Sequence, residues 1–253
     1  MARQVGKIRI TGTIAGVNYY CSEGDYRARK AGGGFTRDAI KNKPSMEPVR
    51  ESGTEFGKLS GVKRLLRESI MSSLPAVLER KWHNDLVSLL IQVKLQDCLS
   101  ARGCRSVGGG LKTAAGKQML RDFSFTPGQH LGALLATNLE VSSLGMHCRF
   151  GAFALDEDLF KKDASTVCFH YFVVDYTVSD LSWTSYSAEK LFCSTQELSS
   201  GLPDFVIADL PSIPTFRLAF LSMRFFDAVG DTLVPATEDD RVGLRCVGVF
   251  SGE

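Results

Sequence analysis

The chain has 253 residues, 44% apolar and 23% charged, with a formal net charge of +2. That is enough chain and enough apolar content for a full core, arranged as one large domain or two smaller ones. No run of about 18 apolar residues occurs, and the start, MARQVGKIRITGTIAG, lacks a hydrophobic leader core, so neither a membrane span nor a Sec leader is expected.

KIRITGT (7–13) alternates Ile8 and Ile10 against Lys7, Arg9, Thr11 and Thr13, the period of a half-buried strand. VNYYCS and DYRARK follow as two more strands joined at Glu23-Gly24, which predicts a three-stranded meander over 1–30 with one basic face. Residues 31–48 combine a glycine run, lysines and two prolines and read as a flexible linker. Pro48 suits the first turn of a helix, and Val49, Phe56, Leu59, Val62, Leu66 and Ile70 fall close to one stripe, predicting a helix that ends near 72–75. A second helix, about 75–100, carries Leu78, Trp82, Leu86, Leu89, Leu90 and Val93 on one side and forms an antiparallel hairpin with the first. A glycine-rich turn leads to a short helix near 111–120, closing a helical region over 49–122.

From Phe123 onward the pattern changes to strands, near 137–143, 147–154, 166–178, 183–193, 204–209, 216–226 and 243–250. Short strands at this spacing without helices between them predict an antiparallel β-sandwich or barrel-like domain over 123–253, and an α+β chain as a whole. TVCFHYFVVDYTV and FRLAFLSMRFF are apolar on both faces, as expected of central strands or of strands paired with another subunit.

The first helix carries Gly53, Gly57 and Gly61 at intervals of four. Three helical glycines give up about 3 kcal/mol relative to alanine, so a compensating contact is expected. Their spacing leaves a bare strip on one edge of the helix, along which another backbone could approach closely. That backbone belongs either to the same chain or to another subunit.

Catalytic chemistry is sparse in the sequence. Of four histidines, at 83, 130, 147 and 170, none has a ligand spacing, although Cys168 and His170 share one strand face as a conceivable metal pair or as core residues. GGGLKTAAGK (108–117) misses the phosphate-loop spacing, with five residues between Gly110 and Gly116 and Gln118 where Ser or Thr would hold magnesium. The acidic groups at 156–158 and 163 and at 238–240 read as solvated turns. Seven cysteines, odd in number and without a CxxC pair, fit reduced thiols, so the expected compartment is the cytoplasm. No cofactor or metal is implied, and the expected class is not an enzyme.

Charge is distributed unevenly. Residues 1–121 hold 22 Lys and Arg against 10 Asp and Glu, net +12, whereas residues 122–253 hold 8 against 18, net −10. Such a split suits contact with nucleic acid, head-to-tail attraction between copies, or docking of the two halves on each other. Tyr19, Tyr20 and Tyr26 interleave with Arg27, Arg29 and Lys30, the makings of a stacking platform for single strands. Lys58, Lys63, Arg64 and Arg67 either extend that basic surface or keep the outer helix face wet.

The stretches Gly12-Thr13-Ile14, Tyr26-Arg27-Ala28-Arg29, Gly32-Gly33 and Arg50-Glu51-Ser52-Gly53-Thr54-Glu55-Phe56-Gly57, running on to Leu65-Leu66-Arg67, form a recurring pattern. In it the N-terminal half resembles an uncharacterised protein family of Bacteroidota, over roughly residues 7–67 and faintly through Ala101-Arg102-Gly103. The resemblance implies an organism group and a domain plan and carries no catalytic residue. The expected function is a non-enzymatic, self-assembling structural protein, a subunit of a filament, tube or shell, whose basic N-terminal half meets the acidic half of a neighbour. A nucleic-acid-binding or coat protein is the alternative.

Overall fold

A computed structural model describes residues 2–5, 8–32, 36–73, 80–126, 139–142, 144–150, 164–194, 204–230, 232–236 and 242–252. The expected acidic turns at 156–158, 163 and 238–240, with His130, lie outside them. The chain forms two compact units, Met1–Thr54 and Glu55–Glu253.

In the first unit, β2 (Gly12–Ile14), β3 (Val17–Ser22) and β4 (Asp25–Lys30) form the expected meander, and β1 (Ala2–Arg3) adds to the free edge of β4. Two-residue turns close both hairpins, with positive φ at Ala15 and Gly16 (48° and 77°) and at Glu23 and Gly24 (54° and 83°). This conformation matches the twist of the flanking strands. The first strand of the meander thus begins at Gly12, and Ile8 and Ile10 lie outside it. Gln4 explains the difference, because its side chain accepts from Ile10 N–H and donates to the Ile10 carbonyl, taking the place of a strand partner there. Residues expected as linker are in part helical: Thr36 caps α1 (Arg37–Asn42), a 3-10 turn covers Pro44–Met46, and α2 (Glu47–Ser73) follows with Pro48 in its first turn.

The second unit contains α2 from Glu55 on, α3 (Arg80–Leu95), α4 (Val107–Gly110), α5 (Ala114–Asp122) and two sheets. Ser106 and Thr113 cap α4 and α5, so the GGGLKTAAGK segment is two short helices in series. Lys94 pairs with Glu55, while Lys63 meets His83 at 3.1 Å, which sets α2 and α3 antiparallel as expected.

The larger sheet is built on β7 (Ala164–Thr177) and β11 (Phe216–Val229), two 14-residue antiparallel partners. β8 (Ser182–Ser187) and β9 (Leu191–Ser194) share the outer edge of β7 end to end. β12 (Thr232–Pro235) and β13 (Val242–Ser251) share that of β11. The smaller sheet has the order β10 (Phe205–Val206), β6 (His147–Phe150), β5 (Leu139–Val141). The expected strand 183–193 is therefore two strands, and β12 is one that the periodicity did not reveal.

Because the side-chain period of a strand is two, β7 and β11 each feed two cores. Phe172, Val174 and Tyr176 with Phe216, Leu218 and Phe220 pack under Leu59, Leu66, Leu86 and Leu90 of α2 and α3. Val167, Phe169 and Tyr171 with Ala219, Leu221 and Met223 pack against Cys148, Phe150 and Phe205 of the smaller sheet. This gives three layers, helices, large sheet and small sheet, and it explains why both long strands read as apolar on both faces. Ser69 of α2 and Tyr176 of β7 share a buried hydrogen bond of 2.6 Å between the first two layers.

Two buried carboxylates organise the loop after α3. Glu55 accepts from Lys94 and from Gly103 N–H (2.7 Å), and Asp97 accepts from Ser100 N–H (3.1 Å) and Ser106 N–H (3.0 Å). The Lys94 hydrogen bond holds the Glu55 carboxyl below its usual range against the opposing effect of burial. Burial pushes the Asp97 carboxyl up, but the N–H groups of Ser106 and Ser100 outweigh it and hold it low as well. Depressed folded-state values mean that this stabilisation is complete above the unfolded values, 4.5 and 3.8. It is lost as pH falls through the lower folded ones. Urea midpoints should fall between about pH 5 and pH 3, and Glu55→Gln should flatten that acid limb. An unchanged limb in the variant would remove Glu55 from the account.

Candidate interaction surface

Cross-strand register sorts the tyrosines and cations of the first unit onto two faces. Tyr20 opposes Arg27 and Asn18 opposes Arg29, with Arg3 opposite Arg27 on the far side, so Arg3, Arg27, Arg29 and Tyr20 share one face. Tyr19 opposite Ala28, Cys21 opposite Tyr26 and Val17 opposite Lys30 make up the other. The expected single platform is thus divided, with one tyrosine among the arginines and two behind them. Arg29 lies over the Tyr20 ring (5.4 Å) and Arg9 over Tyr26 (5.0 Å), while Asp25 takes Arg3 (2.6 Å) and Arg27 (3.4 Å).

Burial is what distinguishes this unit. Among its described residues only Ala39 is buried, and none of the described side chains of the four-stranded sheet is buried on either face. Val5, Ile8 and Ile14 are largely exposed. A small sheet needs an apolar face packed on something for its stability.

The glycines behave unequally. A Cβ at Gly53 or at Gly57 would meet nothing within 4 Å, whereas one at Gly61 would come within 2.8 Å of Leu181 Cδ2. Gly61 is thus closed by its own unit, and Gly53 and Gly57 are open. Phe56 departs from the expected stripe. The buried line of α2 runs Glu55, Leu59, Val62, Leu66, Ser69, Ile70, and Phe56 stands beside it, 50% exposed. Of the cations on α2, Lys58, Arg64 and Arg67 are exposed, Lys63 contacts His83, and Arg64 pairs loosely with Glu68 (3.8 Å). They line the wet side of the helix and do not converge on one point.

Cys168 and His170 sit side by side on the helix-facing side of β7, both buried. Burial pushes the Cys168 thiol up to about 11, and burial with the Lys190 charge pushes His170 down to about 4. Both are neutral near pH 7, the Cys168 thiol points to the Phe169 carbonyl, and no group of three or more His, Cys, Asp or Glu able to hold a metal occurs among the described residues. The core alternative fits this geometry, a thiol beside a histidine ring packed 5.1 Å from Phe172. A groove of about 490 Å³ beside β9 and β10 has Glu189, Lys190 and Asp204 on its rim, and Asp204 is engaged by Arg149 at 3.0 Å.

No family model, curated protein or solved structure matches the chain. No helix among the described residues is long and apolar enough to cross a membrane.

The sequence reading missed the Arg217–Asp175 pair, which joins β11 to β7 by two hydrogen bonds of 2.6 and 2.7 Å in the buried interior. A charge within the most apolar part of each of the two strands was the signal for it, although β11 also carries Arg224 and Asp227 further along. It also missed the close approaches at Gly109, to the Asp97 carboxylate, and at Gly110 and Gly116, to backbone carbonyls.

Proposed function

We propose that the protein is a self-assembling structural subunit whose first unit docks on the second unit of a neighbouring copy. The carrying observation is the four-stranded sheet, none of whose described side chains is buried, a layer whose stability calls for a surface that its own unit does not supply. Opposite charge on the two halves of the sequence favours the acidic part of another copy as that surface, and contacts of this heterologous kind build rings or open filaments. Phe56, exposed beside the side-chain-free Gly57, offers an aromatic anchor of the type that dominates interfaces.

Light scattering after size exclusion, on nuclease-treated protein at low and high salt, with negative-stain microscopy of the peak, tests this reading. Regular polymers or closed shells that loosen with salt are expected, and a monodisperse monomer at high concentration and low salt would sink it. Gly57→Leu should raise the stability of the isolated chain by about 0.5–1 kcal/mol, because glycine is the poorer helix former. The same change should weaken assembly, and intact assembly in that variant would move Gly57 out of the interface.

A second reading rests on the Arg3, Arg27, Arg29 and Tyr20 face, which has the composition of a single-strand nucleic-acid surface. It expects a mobility shift of DNA or RNA at about 50 mM salt that disappears steeply as salt rises. Unchanged mobility would dismiss it.

A further inference from the structure

The β7–β11 ladder carries a polar patch on its helix-facing side, beyond the aromatic core. Register places Arg224 opposite Cys168 and Ser222 opposite His170, with Phe192 of β9 on the far side of Cys168. Continued by one residue, the β9 register brings Lys190 alongside His170, and the Lys190 charge acts on both Cys168 and His170. Cys168, His170 and Ser222 are buried, Arg224 is half-buried and Lys190 is exposed, so the patch runs from the interior to the surface. Phe192, 47% exposed, meets Phe226 edge-on at 5.5 Å and forms an aromatic wall at the open end.

Two hydrogen-bonding atoms there are unused. His170 Nδ1 and Arg224 Nε are both buried, and neither has a hydrogen-bond partner among the described residues. Leaving a buried donor without an acceptor is costly, and such atoms mark strain or a missing ligand. The hydroxyl of Ser222 is already used, donating to the His170 carbonyl at 3.3 Å. By strand alternation Asp175 and Asp227, the acids of β7 and β11, fall on the opposite face. Among the described residues the patch therefore collects two positive charges, a guanidinium N–H and an imidazole able to donate from Nδ1; the carboxylates beside Lys190 are Glu189 and Asp204 on the groove rim, Asp204 being engaged by Arg149.

A metal cation is the wrong guest for this set. It would sit between Lys190 and Arg224, beside a thiol that burial keeps protonated. An anion reverses every one of these terms: it accepts from both unused donors and balances both charges.

We propose that His170, Arg224 and Lys190 form a binding site for a small oxyanion, phosphate or a phosphate ester, with the Phe192–Phe226 wall beside it. The site is independent of the assembly reading. Phosphate oxygens suit it because their several lone pairs can take a guanidinium, an ammonium and an imidazole donor together.

Thermal unfolding of the intact protein, in inorganic phosphate against sodium chloride of equal ionic strength, tests the site. At a tenfold excess over Kd, phosphate should raise Tm by about 3 °C beyond the chloride control. Arg224→Met and Lys190→Met, at partly or fully exposed positions and compatible with folding, should each reduce that rise, and the double variant should abolish it. Phenyl phosphate exceeding phosphate in the wild type alone would identify the ester as the ligand form, through the aromatic wall, and equal effects would identify the free anion. No rise over chloride in the wild type, or an equal rise in the double variant, would overturn the proposal.

Discussion

Replacing Arg217 with Met should lower the unfolding free energy by about 3–5 kcal/mol, the range for breaking one side of a buried ion pair. Arg217 is completely buried, its bidentate bonds to Asp175 are its principal contact, and the rest of its guanidinium donates to the carbonyls of Leu144 (3.1 Å) and Pro211 (2.8 Å). The substitution thus leaves one carboxylate without a counter-charge and two carbonyls without donors. Arg217→Met combined with Asp175→Leu should recover part of the loss, since the stranded charge is gone while the carbonyls remain unsatisfied. Urea unfolding followed by circular dichroism reads both. A cost under about 1 kcal/mol for the single variant would mean that water reaches the pair and that burial does not govern it.

The second large effect is at Gly110. A Cβ there would overlap the backbone carbonyl of Val93, and one at Gly116 would overlap the carbonyl of Gly110, so α3, α4 and α5 meet through backbone with no room for a methyl group. Gly110→Ala or Gly116→Ala should cost about 3 kcal/mol, near the upper end for overpacking, because fixed main chain and not a flexible side chain must move. Gly109 is as tight, with its added Cβ overlapping the Asp97 carboxylate. Gly57→Ala is the matched control and should be neutral or stabilising. Equal urea midpoints for Gly110→Ala and the wild type would show that the three helices can part without penalty.

Periodicity located β3, β4, α2 and the long central strands well, because each has a strong period or a strong turn signal, as at Glu23-Gly24. It missed β12, which is four residues long and lies in a hairpin with β11, and it placed the first strand of the meander early because Ile8 and Ile10 alternate, although the backbone of Ile10 is served by the Gln4 side chain. Tight-packing glycines were expected in α2 at a regular interval of four, yet of those three only Gly61 is closed, by the Leu181 side chain, and the tightest approaches are at Gly109, Gly110 and Gly116 in α4 and α5. Interval alone says that a bare strip exists and not which strip is covered. Arg217 and Asp175 lie in largely apolar strands, but joining Asp175 to Arg217 and not to Arg224 required the β7–β11 register, which depends on contacts distant in sequence. Burial of His170 and exposure of Phe56 likewise belong to tertiary packing, since each lies within one position of a plausible apolar stripe.

The end-to-end sharing of edges in the large sheet has a kinetic consequence. β8 follows β7, and β12 follows β11, through short turns, so these hairpins can zip locally on a microsecond scale. The β7–β11 ladder, which carries both cores, must first close the 38-residue span 178–215. Loop-closure entropy is spent there before any long-range contact returns it, which places the barrier to folding at the union of two preformed hairpins. Substitutions along that ladder should therefore slow folding, whereas those in the outer halves of β9 and β13 should mainly hasten unfolding.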